Sequence, residues 1–67
     1  MSNTKEKAKE LFDRFLFSSI YFTNGIEGAK LNAKQCALVV VDELQYYTED
    51  ARFFEYLEEV KQEIQNL

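Results

Sequence analysis

From Phe53 onward the apolar residues Phe53, Leu57, Val60, Ile64 and Leu67 recur at spacings of four, three, four and three. That rhythm keeps one face of an α-helix apolar for two heptads, whereas a strand needs a repeat of two. The helix is predicted over residues 50–66, opened by "TED", whose acids suit the positive end of the helix dipole. Glu55, Glu58, Glu59 and Gln62 fall away from the stripe. The segment reads as a bundle helix with an acidic back.

Two further segments supply helices for it to pack on. Over residues 4–20, Ala8, Leu11, Phe12, Phe15, Leu16 and Phe22 share one side, while Lys5, Lys9 and Asp13 form an exposed row at i, i+4 spacing. Asn3 or Thr4 can cap this helix, and Glu6 stands at the spacing that returns a side chain to the Asn3 amide. A longer helix is predicted over 30–47, where Asn32 and Gln35 have capping-box spacing, although a start one turn earlier is equally compatible with the sequence. Between the first two helices lies "YFTNGIEG". Asn24-Gly25 tolerates positive φ, so it either ends the first helix with a left-handed cap or turns a short hairpin pairing "IYFT" with "IEGAK". The helix-ending reading is preferred, because two short strands alone are marginal in water. The expected architecture is all-α, a single three-helix domain over 1–67.

A chain of 67 residues buries only about 60% of the surface its unfolded form exposes. Marginal stability of this kind is usually supplemented by disulfides, a metal or self-association. Cys36 is the sole cysteine and histidine is absent, which removes an intrachain disulfide and the common Cys/His zinc sets. Homo-oligomerisation is the supplement left over.

Catalytic inventory is equally thin. Without histidine the chain lacks the commonest neutral-pH general base and any Ser-His or Cys-His nucleophile pair. Cys36 sits in "QCALVV", and a thiol packed among apolar neighbours is a poor nucleophile. "NGIEG" lacks both glycine-rich phosphate-binding patterns. Adjacent acids such as Asp42-Glu43 or Glu58-Glu59 point about 100° apart on a helix and do not converge on one ion. Glu55-Glu59 and Glu59-Glu63 converge better but lie on the acidic back. No catalytic, cofactor-binding or metal-binding residue is expected, and the chain is not expected to be an enzyme. The net charge of −4, from 12 acids and 8 bases, disfavours nucleic acid and anionic membranes as partners. There is no run of about 18 apolar residues and no apolar leader, so with its free thiol the chain is expected in a reducing, cytoplasmic setting.

The middle helix carries the one unusual signal. Projected on a helical wheel, Ala33, Cys36, Ala37, Val40, Leu44 and Tyr47 cluster as the side expected to face the other two helices. Leu31, Leu38, Val39 and Tyr46 lie elsewhere, interleaved with Gln35 and Asp42, which gives this helix a second apolar side. Phe17, Tyr21 and Phe54 are likewise off their core stripes. Leu31, Gln35, Leu38, Val39, Asp42, Tyr46, Phe17, Tyr21 and Phe54 are therefore the expected interface residues, since aromatics carry much of an interface's central energy. Within "VVVDEL", residues 39–44, Asp42 is assigned to specificity on that side, and Glu43 to a boundary reaching for solvent or a lysine.

The segments "KAKELFDRF", "AKQCALVVVDEL" and "EYLEEVKQEIQNL" resemble stretches of small uncharacterised proteins that recur in phages and mobile elements of Bacteroidetes-type bacteria. The resemblance covers about half the chain, skipping Ser18 to Lys30 and the connection around Thr48. That family has no assigned function, so it implies a setting and no site residues. The setting implies stoichiometric binding to a protein of the bacterial host, with a defence system as one target. Two alternatives stand beside this expectation. One is an oligomeric sponge for a small signalling nucleotide, held by aromatic stacking with Arg14, Lys30 or Lys34. The other is a purely structural phage accessory protein.

Overall fold

The computed structural model describes residues 3–19 and 25–67, and within them the chain forms three helices: α1 (Asn3–Ser19), α2 (Ile26–Tyr47) and α3 (Ala51–Gln65). No strand occurs among the described residues. The hairpin alternative is excluded by its second arm, because Ile26 to Lys30 is the first turn of α2.

Gly25 explains why α2 starts about two turns ahead of the Asn32 capping box. Its φ of 152° and ψ of 161° belong to a backbone region that is essentially glycine's alone. The Ala29 amide then donates to the Gly25 carbonyl at 3.1 Å, and the helix is under way. Asn32 lies well inside α2, where its side-chain amide donates to Ser19 Oγ at 2.6 Å and ties the end of α1 to α2. At the other connection the "TED" expectation resolves onto one residue. Asp50 is the N-cap of α3, its Oδ1 accepting from the amides of Arg52 at 2.9 Å and Phe53 at 3.2 Å.

Cross-helix neighbours define the topology. Lys7 and Leu11 line one hollow with Leu44, Phe15 lines another with Cys36 and Val40, and Ser19 is bonded by Asn32, so α1 and α2 run antiparallel. Gln45 bonds Glu58, Asp42 pairs with Lys61, and the Lys34 ammonium donates to the Gln65 carbonyl, so α3 is antiparallel to α2 as well. The three helices make a flattened bundle with principal extents of 39 × 26 × 14 Å.

Its interior is built largely from alanine. Ala8, Ala29, Ala33 and Ala37 are completely buried together with Val41, Val60 and Ile64, and Leu57 is nearly so. Leu11, Phe15, Leu38 and Tyr56 pack against this cluster from its margins. On α3 the stripe holds at Leu57, Val60 and Ile64, whereas its end members Phe53 and Leu67 are exposed.

On α2 the predicted inner side requires correction. Its buried row is Ala29, Ala33, Ala37, Val41 and Gln45, one residue every four. Cys36 and Val40 lie half-buried on the flank, and Leu44 and Tyr47 are exposed. A helical wheel follows the largest apolar side chains, but helix axes approach most closely over the smallest ones. The alanines thus take the seam, and the bulkier residues are pushed to its edges.

Gln45 enters the core because both polar needs are met there. Its amide nitrogen donates to the Glu58 carboxylate at 3.0 Å and to the Phe54 carbonyl at 3.3 Å.

Candidate functional site

The side of α2 turned away from the alanine seam is largely apolar, and among the described residues no other helix covers its centre. Leu31, Val39 and Tyr46 are 60%, 59% and 80% exposed. Gln35 and Asp42 stand between them, also exposed, and Leu38 borders them, half-buried against the core. Six of the nine expected interface residues are therefore on one continuous strip of one helix.

The strip consists of two i, i+4 ridges. One reads Leu31, Gln35, Val39; the other reads Leu38, Asp42, Tyr46. Each has a polar side chain between two apolar ones.

Asp42 is further specified by α3. Its Oδ1 lies 2.6 Å from the Lys61 ammonium, which is also 3.8 Å from Glu58. The hydrogen bond that Lys61 donates to Asp42, followed by the charges of Asp42 and Glu58, holds the Lys61 ammonium above its ordinary value against an opposing cost of partial burial. Lys61 is the more covered partner and Asp42 the more open one. A carboxylate offers about four acceptor positions, so Asp42 keeps capacity for a further donor.

Beside the first ridge is a shallow groove of about 400 Å³ lined by Phe15, Asn32, Gln35, Cys36, Val39 and Val40. Cys36, expected deep in the core, forms part of its wall. This groove continues the apolar strip toward α1, a feature that sequence reasoning missed. The signal was available only in combination, since Phe15 and Cys36 are apolar positions on separate helices.

The remaining expected interface residues do not join the strip. Phe17 is exposed on the side of α1 opposite Ala8, and Phe54 lines a hollow with Thr48, Asp50 and Ala51 at the α2–α3 connection. Tyr21 lies outside the described residues. The proposed nucleotide ligands are separated by their own engagements: Arg14 pairs with Glu10 at 3.2 Å, Lys34 leans to the end of α3, and Lys30 is exposed. None of the three lines the groove beside Phe15.

Among the described residues no group of three or more acidic or thiol side chains is placed to hold a metal ion, and no helix is long and apolar enough to cross a membrane. Compared with protein-family models, with curated proteins and with solved structures, the chain matches none.

Proposed function

We propose that the chain is a non-catalytic protein-interaction module of phage type. It binds a protein of the bacterial host stoichiometrically, a component of a defence system being the class of target, and it associates with itself through α2. The observation that carries this reading is the exposed strip of Leu31, Val39 and Tyr46 on the longest helix. Contiguous apolar surface with polar residues spaced along it marks interaction sites. The segmental resemblance to phage proteins supplies the setting.

The test is a pull-down from host cells with native mass spectrometry, using the wild type and Tyr46→Glu as baits. Tyr46 is exposed, so the variant should keep its helical circular dichroism. A host protein held at fixed stoichiometry by the wild type and lost by the variant is the expected result. A wild type that is strictly monomeric and retains nothing the variant loses would end the proposal.

A further inference from the structure

We infer that the strip on α2 is occupied by a second copy of this chain, packed antiparallel across a two-fold axis that passes between Leu38 and Val39. The inference rests on the self-association part of the reading above and adds its geometry.

A two-fold interface must be self-complementary, because the same patch is used on both subunits. The two ridges of α2 meet that condition in one orientation only. When α2 is laid antiparallel on its copy, Leu31 faces the copy's Tyr46, while Leu38 and Val39, astride the axis on opposite flanks of the strip, each face their own counterpart. Gln35 then faces the copy's Asp42. Apolar meets apolar at four places, and an amide donor meets a carboxylate twice. An antiparallel pair that keeps contact from Leu31 to Tyr46 crosses at a shallow angle of roughly 20°, as in coiled-coil-like packing.

A parallel arrangement would set Asp42 against Asp42 and Gln35 against Gln35. Two carboxylates would then be brought together in a partly dehydrated setting, which is unfavourable. Lys61 strengthens the antiparallel choice. It is bound at Oδ1 of Asp42 and anchors the carboxylate beside the ridge, while the remaining acceptor capacity is open to the copy's Gln35 amide.

Disulfide trapping reads the geometry directly, in a Cys36→Ala background oxidised with copper phenanthroline. Val39→Cys, next to the axis, is expected to cross-link to its copy. Leu31→Cys alone and Tyr46→Cys alone are not, because each is about 22 Å along the helix from its own counterpart at 1.5 Å per residue. The double variant Leu31→Cys with Tyr46→Cys is expected to cross-link where the single ones do not. Self-cross-linking by both single variants would reveal a parallel pair and overturn the geometry, while leaving self-association in place.

A second measurement does not depend on trapping. Gln35→Lys puts an ammonium opposite the copy's Asp42 and is expected to tighten the dimer, by an amount on the order of tenfold for two symmetric pairs. Gln35→Glu is expected to loosen it comparably. In a parallel pair both would loosen it. Sedimentation equilibrium of the folded variants gives the sign. A wild type that stays monomeric at millimolar concentration, with no cross-link from Val39→Cys, would overturn the second copy as occupant. If Tyr46→Glu still lost a captured host protein in that case, the strip would belong to that partner and the wider functional reading would survive.

Discussion

The run Val39, Val40, Val41 offers three identical substitutions in three environments. Val41 is completely buried, Val40 half-buried and Val39 59% exposed. Each Val→Ala change gains the same helix propensity, about 0.5 kcal/mol, so differences among the three report burial alone. At Val41 the two lost carbons forfeit about 1.6 kcal/mol of transfer energy. The cavity left among Ala37, Leu57 and Val60 adds up to about 1 kcal/mol. After the propensity gain, Val41→Ala should cost about 2 kcal/mol. A domain of this length has a total stability of about 3–10 kcal/mol, and its melting point should fall by about 8–16 °C. Val40→Ala should cost about 0.5 kcal/mol or less, and Val39→Ala should be neutral or slightly stabilising. Thermal unfolding followed by circular dichroism at two protein concentrations separates folding from association. If Val40→Ala proved as damaging as Val41→Ala, the rotation of α2 about the alanine seam would be wrong.

Three other perturbations have defined outcomes. Gln45→Met keeps the volume but removes both amide bonds, and should cost about 1–2 kcal/mol in urea unfolding. Asp50→Ala removes the cap that accepts from Arg52 and Phe53, and should cost about 1 kcal/mol, with hydrogen exchange accelerated first in the opening turn of α3. Because Asp42 holds the Lys61 ammonium above its ordinary value, the ion pair contributes near neutrality, where carboxylate and ammonium are both charged, and is lost as pH climbs through the raised value. The deficit of Asp42→Asn in chemical denaturation, at most about 1 kcal/mol for so open a pair, should therefore be constant near neutrality and shrink as Lys61 loses its proton in strong base; a deficit that shrinks on the acid side alone would refute that assignment.

Element number and type were legible because α3 carries an unbroken heptad stripe and α2 lacks both proline and interior turn residues beyond its first turns. The acidic back of α3 was also legible, as Glu55, Glu58, Glu59 and Gln62 are all exposed. What escaped was the rotation of α2. Ala29 and Val41 replaced Leu44 and Tyr47 in the buried row because interhelical distance rewards small side chains, a property that hydrophobicity does not encode. Gln45 escaped for a different reason. A lone glutamine among tyrosines reads as surface, and only the placement of Phe54 and Glu58 opposite it satisfies its amide. The outer strip, by contrast, was visible from the sequence at Leu31, Gln35, Val39, Asp42 and Tyr46, since an apolar residue far off the main stripe keeps its direction even when the stripe shifts by one position. The groove beside Phe15 needed the tertiary arrangement of α1 and α2.

The alanine seam also sets how this domain responds to temperature. Unfolding raises the heat capacity of proteins of average interior by about 12–15 cal/mol/K per residue, which for 67 residues amounts to about 0.8–1.0 kcal/mol/K. Methyl groups conceal far less apolar area than leucine or isoleucine side chains do, so calorimetry should find a smaller increment here. The denaturant slope should be shallow for the same reason. A folded chain with such a flat stability curve changes little between a cold and a warm environment.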